Sequence, residues 1–385
     1  MTMSLTPQDL DALTALRRDL HRAPDLSGDE AATAATVAEA LAETGPDSLI
    51  TGLGGSGVAA IYAGARPGPS IMIRCELDGL PIFETGTAPY RSTTPGKAHL
   101  CGHDGHMAIV LGLAKHLGRN RPASGRAIVL FQPAEETGAG AAAVISDPKF
   151  DQIQPDISLA LHNFPGLPLG HVAITSGVMN CASRGMKLIL EGRTAHASQP
   201  ETGVSPAPAI ARLITRLTAL GKGGTPSDPE FSLVTITHVR IGEPAFGIAP
   251  GRAELWLTLR TQRDDRMAAL VQAAESEITD AARPDNLSVT IGYHDIFAHC
   301  ENHPEAVDIF RRAIEDEAFP EANMPLPMRA SEDFGRFGSC SKSAMVLLGA
   351  GETTPALHNP DYDFPDALIP DGVRLFGRCL RNVLG

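Results

Sequence analysis

The chain has 385 residues, of which 43% are hydrophobic and 20% charged, as in an ordinary soluble globular protein. Its net charge of −13 leaves no basic surface for phosphates, so we expect no nucleic-acid partner. It contains no run of about 18 apolar residues, and its start lacks a basic segment followed by an apolar one. We therefore expect a cytoplasmic protein with no membrane partner.

The first part of the chain predicts alternating helices and strands. Pro7 follows Thr6, which can cap a helix, and leucines at helical spacing come next. Ser27 and Glu30 have the spacing of a capping box, which predicts a second helix that ends near Gly45. Near-continuous apolar runs predict buried strands at 58–62, 71–75, 127–131 and 157–161, with helices at 104–117 and 138–146. This pattern predicts an α/β fold with a mixed, mainly parallel sheet and helices on both faces.

The middle of the chain changes character. It predicts strands at 186–191, 232–241, 253–261 and 287–293, with helices at 206–220 and 265–282. The order strand, helix, strand, strand, helix, strand is that of a ferredoxin-like α+β unit. We therefore expect an inserted domain at 182–294 and a discontinuous second domain at 1–181 and 295–385.

Polar side chains gather where the predicted strands end. Asp78 follows one strand, Glu135 and Glu136 follow another, and His162 follows a third. Cys101 and His103 precede a predicted helix in the same part of the chain. Because ligands of open α/β sheets bind beyond the carboxyl ends of the strands, these residues predict one shared site.

Two pairs in this group suit metal chemistry. Cys101 and His103 offer a thiolate and an imidazole, which bind zinc and other transition metals, but a buried cysteine beside a helix-capping histidine explains them equally well. Glu135 and Glu136 repel each other, so one could bind a metal while its neighbour takes a proton from water. The alternative for that pair is a solvated loop.

Two further histidines are ambiguous by themselves. His162 directly follows an apolar strand, where a histidine is more often a satisfied core or rim residue. His358 lies in a turn-rich stretch, and alone it reads as a surface loop residue.

Longer motifs give a resemblance to a known family. The most specific are Cys-Gly-His-Asp-Gly-His at 101–106 and Gln-Pro-Ala-Glu-Glu at 132–136. The chain resembles the two-metal aminoacylase-type peptidases, in the branch of hippurate hydrolases, auxin-conjugate hydrolases and bacterial N-acyl-amino-acid amidohydrolases. The likeness extends over nearly the whole chain and includes 18–24 with Glu30, 74–82 with Glu84, 161–165, 192–196, 331–334 and 357–360.

The resemblance implies a metal-dependent amidohydrolase with two divalent cations per subunit. The metal could be Mn, Zn, Ni or Co, and the implied ligands are Cys101, His103, Glu136, His162 and His358. Glu135 is the implied general base, which takes a proton from a water held by the cations and passes it to the leaving amine. Asp78 and Asp104 are expected to orient ligating histidines.

The resemblance also implies that the inserted domain mediates homodimer formation. In the family, a histidine of that domain reaches the active site of the partner subunit, and His196 matches its position. One departure concerns a stretch where the family usually has an Asn that contacts substrate, because this chain has Gly247 there. We expect Gly247 to alter substrate preference.

Three alternatives to N-acyl-amino-acid hydrolysis remain open. A dipeptidase or other exopeptidase would use the same chemistry on a substrate with a free amino terminus. A non-catalytic binding protein would not need Glu135. A hydrolase with Cys101 as its nucleophile would keep its activity after metal chelation.

Overall fold

The computed structural model describes residues 5–385. The expectation that the chain starts without a secretion signal concerns partly residues 1–4, which lie outside the described part. The chain forms two compact units. Unit 1 comprises Met1–Met179, Glu301–Met324 and Asp333–Gly385, and unit 2 comprises Asn180–Cys300 and Pro325–Glu332.

The secondary structure follows the predicted alternation closely. The helices are α1 (Pro7–Arg22), α2 (Ala31–Ala42), α3 (His103–Arg119), α4 (Gly140–Ser146), α5 (Ala207–Ala219), α6 (Asp264–Ala282), α7 (Pro304–Asp316) and α8 (Leu368–Leu384). The strands are β1 (Ser48–Leu53), β2 (Gly57–Ala63), β3 (Arg66–Glu76), β4 (Ser124–Gln132), β5 (Ile157–Pro165), β6 (Val172–Ala173), β7 (Gly177–Asn180), β8 (Ala182–Glu191), β9 (Ala195–His196), β10 (Ser232–Ile241), β11 (Ile248–Ala249), β12 (Arg252–Thr261), β13 (Ser288–Phe297), β14 (Cys300–Asn302) and β15 (Lys342–Gly351).

Unit 1 is built on a seven-stranded sheet in the order β1-β2-β4-β3-β5-β15-β6. The central strands β4, β3, β5 and β15 are parallel to one another. β2 is an exception, because it pairs antiparallel with both β1 and β4, so the sheet is mixed and mainly parallel as expected. The tight connection between β1 and β2 explains this exception, because a short hairpin can join only antiparallel strands.

Helical segments cover both faces of this sheet, as the sequence predicts. On one face, Ile71, Ile73 and Cys75 of β3 join the main hydrophobic core, in which α3 and α8 pack against β3 and β4. On the opposite face, Arg74 pairs with Asp333 in a 3-10 turn at Asp333–Ser339. α4 contacts the same turn. The α/β layered fold is therefore confirmed.

The predicted capping box before α2 is wrong. α2 begins at Ala31, and its N-cap residue Glu30 makes no side-chain capping bond. The Ser27 hydroxyl instead donates to Asp78 at 2.6 Å, and the Glu30 carboxylate accepts the N–H of Gly28 at 2.7 Å and that of Ala134 at 2.9 Å. Long-range contacts take both side chains away from the helix end.

Unit 2 is an α+β unit with its own core. Its four strands lie in the antiparallel order β10-β12-β8-β13, which is the ferredoxin-like arrangement. α5 and α6 pack against this sheet and bury aliphatic side chains such as Leu188, Leu213 and Leu255. Among residues 5–385, no helix combines the length and the hydropathy that a bilayer crossing requires.

Candidate metal centre

The carboxyl ends of neighbouring strands bring the predicted ligands of unit 1 together. Glu135 and Glu136 follow β4, and Asp78 follows β3. His162 lies inside β5, which runs beyond its predicted end because its pairing with β15 continues to Pro165. β4, β3 and β5 are adjacent in the sheet, so their carboxyl ends share one edge.

A tight turn before α3 supplies two more side chains. Cys101 and His103 flank Gly102, which adopts a left-handed conformation with φ 88°. A Cβ atom on Gly102 would lie 2.4 Å from the Asn163 amide nitrogen, so only glycine fits there. The turn places the Cys101 Sγ 3.5 Å from His162 Nε2.

The five predicted ligands form overlapping groups of possible metal donors. Donor atoms of Cys101, His103 and His162 lie within 4.8 Å of one another, as do those of Cys101, Glu136 and His358. His103 Nε2 lies 3.8 Å from a Glu136 carboxylate oxygen, and His358 Nε2 lies 3.4 Å from the other. These separations suit donors arranged around cations.

His358 reaches the cluster from the loop after β15. Its backbone is left-handed, with φ 66°, and its N–H donates to the Leu100 carbonyl at 2.8 Å. Its side chain is 50% exposed, whereas that of His103 is fully buried, so the cluster opens to solvent at His358. A non-glycine residue in this conformation is uncommon and persists only where its surroundings hold it.

Glu135 lies beside the donors in a second constrained turn. Its carboxylate is 3.9 Å from His103 Nε2, and the residue is 5% exposed. The preceding Ala134 is left-handed, with φ 49°. A buried carboxylate beside a possible cation can hold a proton that it has taken from water.

Asp78 orients the buried histidine of the cluster. Its main-chain carbonyl accepts a hydrogen bond from His103 Nδ1 at 2.8 Å, which leaves Nε2 as the atom that faces the other donors. The Asp78 carboxylate accepts the Glu136 N–H at 3.0 Å. Both interactions are of the kind expected next to metal ligands.

Asp104 has different partners from those expected. It contacts His21 Nδ1 at 2.8 Å and Arg17 Nε at 2.8 Å, and neither is a predicted ligand. Arg17 and His21 are buried on α1, so Asp104 attaches α1 to the start of α3. Its described contacts do not include a predicted metal ligand.

The electrostatics of the cluster fit a cation. Burial lowers the pKa of His103, but the carboxylates of Asp78, Glu76 and Glu136 outweigh it and raise that pKa to about 10. Burial, together with the negative charge of Glu136 and Glu135, raises the pKa of the Cys101 thiol well above its usual range. Ligating histidine and cysteine are deprotonated, so a metal would replace these protons and neutralise the carboxylates.

Two buried donor atoms of the cluster are also without a hydrogen bond. His103 Nε2 and one Glu136 carboxylate oxygen make no hydrogen bond within residues 5–385. Buried polar atoms are almost always satisfied, so an unpartnered imidazole nitrogen that faces carboxylates indicates an ion site. The residues present therefore fit the divalent metals that the motifs imply.

A buried network beneath the cluster was not assigned a role from the sequence. His106 Nδ1 contacts the Glu76 carboxylate at 2.7 Å, and the Arg74 guanidinium pairs with both Glu76 and Asp333. Burial opposes ionisation of Glu76, but Arg74 and His106 hold its pKa well below its usual range. Arg74 could have revealed this network in the sequence, because a cation inside an apolar strand requires buried acidic partners.

The two predicted residues of unit 2 are brought together on a short ribbon. β9 pairs with β11, so that Ile248 lies opposite His196. The Ala197 N–H donates to the Gly247 carbonyl at 3.0 Å. His196 is exposed, and its Nδ1 lies 2.8 Å from the Ser198 hydroxyl. A side chain at position 247 would have open space, since a Cβ there has no neighbour within 4 Å.

Known proteins resemble this chain over nearly its whole length. The hippurate hydrolase of Campylobacter jejuni is 30% identical over 388 residues, which covers 99% of this chain and 100% of that protein. The N-acetyl-L-cysteine deacetylase of Bacillus subtilis is 32% identical over 359 residues, which covers 93% of this chain and 84% of the relative.

Solved structures share the fold. A dinuclear metal binding peptidase of the M20 family from Bacillus subtilis superimposes with a TM-score of 0.81 at 24% identity, covering 98% of this chain and 99% of that one. An aminobenzoyl-glutamate utilization protein from Klebsiella pneumoniae gives a TM-score of 0.74 at 21% identity, covering 97% and 96%.

The family resemblance drawn from the motifs is confirmed by a sequence model of the peptidase family M20/M25/M40, which matches residues 72–382. The chain belongs to peptidase family M20/M25/M40.

Proposed function

We propose that this protein is a metal-dependent amidohydrolase that cleaves the amide bond of N-acyl amino acids. The observation that carries the proposal is the convergence of five metal-competent side chains and Glu135 on one sheet edge, with His103 Nε2 buried and without a hydrogen bond. The substrate class is supported by the names of the relatives, which include a hippurate hydrolase and an N-acetyl-L-cysteine deacetylase.

The proposed ligands would hold two divalent cations. They are Cys101, His103, Glu136, His162 and His358, with Asp78 as the group that orients His103. A thiolate and three imidazoles favour Zn, Co or Ni, while the carboxylate also admits Mn. Metal ions bound here would lower the pKa of a water molecule to about 7 and polarise the scissile carbonyl.

Glu135 is the residue that moves the proton. It lies at the margin of the donor cluster, where its carboxylate can accept a proton from the attacking water and return it to the departing amine. Its left-handed predecessor Ala134, anchored by Glu30, fixes the direction in which the carboxylate points. The burial of Glu135 limits the bulk water that competes for this proton.

The proposal includes a homodimer in which unit 2 supplies His196 to the partner's site as an oxyanion donor. His196 is exposed on a two-stranded ribbon, as a residue that serves another subunit must be. Inactive Glu135→Gln and His196→Ala proteins can be mixed to test this, because a mixed dimer would contain one complete site. Recovery of up to a quarter or so of wild-type activity supports action in trans, and no recovery in a verified mixed dimer contradicts it.

The cytoplasmic location stays part of the same proposal. Five of the six cysteines are buried, and their scattered positions do not resemble a disulfide framework. Such cysteine usage is typical of cytosolic proteins.

The decisive experiment measures amide hydrolysis on N-acetyl and N-benzoyl amino acids, dipeptides and other small amides. The protein is first stripped by a chelator and then supplied with Mn, Zn, Co or Ni. Metal-restored cleavage of acyl amino acids supports the proposal. Cleavage of dipeptides alone assigns an exopeptidase, and cleavage that survives complete metal removal points to Cys101 as a nucleophile.

Glu135→Gln provides the matched variant for this assay. It keeps the shape of the side chain but cannot accept the proton, so we expect kcat to fall at least about 100-fold. Metal content should stay at the wild-type level because Glu135 is not a proposed ligand. A Glu135→Gln protein with normal kcat contradicts its role as the base.

A further inference from the structure

Asn163 touches more of the donor cluster than its position beside His162 suggests. Its side-chain amide nitrogen donates to the Cys101 main-chain carbonyl at 2.7 Å. Its main-chain N–H donates to His106 Nε2 at 3.1 Å, and its main-chain carbonyl accepts from His162 Nδ1 at 2.7 Å. Its side-chain oxygen accepts from the Tyr362 hydroxyl. Asn163 is fully buried, so no water competes for these bonds.

The chemistry of the partners fixes the direction of every one of these bonds. The Cys101 carbonyl can only accept, so the amide nitrogen of Asn163 must face it and the amide oxygen must face Tyr362. The Asn163 carbonyl can likewise only accept, so His162 carries its proton on Nδ1. The lone pair of His162 then lies on Nε2, which faces the Cys101 Sγ at 3.5 Å.

His106 is fixed in the same way and is not available as a ligand. Its Nε2 receives the main-chain N–H of Asn163, so the proton is on Nδ1, where it is donated to Glu76. Both ring nitrogens are therefore satisfied, although Glu76, His103 and His106 lie close enough together to resemble a metal site. His106 serves as a rigid acceptor that holds the backbone of Asn163.

The side chain of Asn163 also reaches the two other ligand-bearing segments. It lies against Gly102, the left-handed residue between Cys101 and His103, at a distance that excludes any Cβ there. Tyr362 lies in the loop that carries His358, and its hydroxyl meets the same amide. The side chain of Asn163 in β5 thus contacts both the 101–103 turn and the His358 loop.

We propose that Asn163 is a positioning residue: its side-chain amide holds Cys101 in ligating geometry and couples it to the His358 loop, while its main-chain carbonyl orients His162. The inference rests on the proposed function, in that Cys101 and His162 must be metal ligands. It adds a role for a residue that neither binds metal nor accepts a proton. Removing a residue that holds metal ligands in position typically lowers metal affinity by roughly 10- to 100-fold.

The test uses cobalt(II) added to the chelator-stripped full-length protein. A thiolate–cobalt absorption band reports whether Cys101 is bound, and a titration gives the affinity. We expect Asn163→Ala to weaken or shift the band and to lower the affinity roughly 10- to 100-fold. Asn163→Asp keeps the size of the side chain but has no N–H for the Cys101 carbonyl, so we expect a similar loss.

Asn302→Ala is the matched control. Asn302 is also a buried asparagine, but it bonds to the main chain of Thr175 and Met345, away from the donor cluster. It should lose stability while its cobalt band and affinity stay as in the wild type. An equal spectral change in Asn302→Ala would assign the effect of Asn163 to general destabilisation and overturn the inference.

Tyr362→Phe tests the coupling without a large cavity. It removes only the hydroxyl. In the double variant with Asn163→Asp, the loss of binding free energy should be smaller than the sum of the two single losses, because both substitutions disrupt the same contact between Tyr362 and Asn163. Folded Asn163→Asp and Tyr362→Phe proteins with the wild-type band and affinity would overturn the inference, even if Asn163→Ala does not fold. If the wild type itself shows no thiolate band, Cys101 is not a ligand and the proposed function fails first.

Discussion

The buried carboxylate of Glu30 accepts the main-chain N–H of Ala134 at 2.9 Å, across 104 residues of sequence. Ala134 is left-handed and immediately precedes Glu135, so this bond holds a strained turn at the proposed base. A non-glycine residue in such a conformation costs about 1–3 kcal/mol, and it persists only where its surroundings fix it. Glu30 provides that fixation.

Glu30→Ala should therefore impair catalysis more than metal binding. The change leaves the Ala134 N–H without its partner, and a displacement of Glu135 by about 1 Å can lower kcat roughly 100-fold. Steady-state kinetics with metal analysis on the same sample checks this. Glu30→Gln keeps an acceptor oxygen and should lose less activity, while Ala134→Gly should keep its activity because glycine adopts the turn without strain. A normal kcat in Glu30→Ala would remove the turn from the mechanism.

The backbone of His358 allows its ligand role to be separated from its structural role. Asparagine tolerates the left-handed conformation better than alanine does, so His358→Asn should unfold like the wild-type apoprotein, whereas His358→Ala should lose about 1 kcal/mol. Both should bind metal more weakly. Calorimetric titration and urea unfolding measure the two effects, and wild-type affinity in His358→Asn would exclude His358 as a ligand.

Hydrophobic periodicity and the positions of strand ends predicted the fold and one shared site at the sheet edge, whereas the set of five ligands was implied only by the family resemblance. The apolar runs located β3, β4 and β5, and parallel strands must bring Asp78, Glu135 and His162 to one edge. The bond from Glu30 to Ala134 could not be predicted this way, because it joins residues far apart in sequence that share no periodic pattern.

The contacts of individual side chains were the other unpredictable part. Asp104 follows a proposed ligand in sequence, yet it bonds to Arg17 and His21 on α1. The direction of a side chain at the start of a helix depends on which elements pack around it, and that arrangement is a property of the whole fold. The same holds for Asn163, whose partners come from three separate segments.

The buried contact between His21 and Asp104 predicts a stability loss in mild alkali. Burial lowers the pKa of His21, but Asp104 and Glu84 outweigh it and raise the pKa to about 9 from an ordinary 6.5. The folded state therefore holds a proton that the unfolded state releases above pH about 6.5, so this stabilisation is complete below that pH and is lost as the pH rises through about 9. At its largest it is on the order of 3 kcal/mol.

Urea unfolding of the apoprotein between pH 6 and 9 measures this effect. The wild-type free energy of unfolding should fall more steeply over that range than that of His21→Gln, which cannot gain or lose a proton there. Buried thiols also lower the free energy of unfolding as the pH rises toward their ordinary pKa. They are present in both the wild type and His21→Gln, so their contribution cancels when the two pH curves are compared. Parallel pH curves for the two proteins would contradict the raised pKa.

Gly105 should be intolerant of a side chain because of Phe364. A Cβ on Gly105 would lie 2.3 Å from the buried Phe364 ring, two residues beyond Tyr362 in the His358 loop. Gly105→Ala should therefore destabilise the protein by about 1–3 kcal/mol through overpacking and weaken metal binding by moving that loop. Thermal unfolding with and without metal checks both effects. Gly292→Ala, where a Cβ has one neighbour at 3.6 Å, is the control and should be nearly neutral.

Gly247 should control substrate preference without affecting stability. A Cβ atom there would have no neighbour within 4 Å, and the Gly247 carbonyl already accepts the N–H of Ala197 beside His196. Gly247→Asn should thus fold and bind metal as the wild type does, while its amide adds a hydrogen-bonding group next to His196. The measurement is the set of kcat/KM ratios across acetyl, benzoyl and dipeptide substrates. A site that hydrogen-bonds a substrate group discriminates against analogues that lack it, so these ratios should shift, and unchanged ratios would mean that position 247 does not contact the substrate.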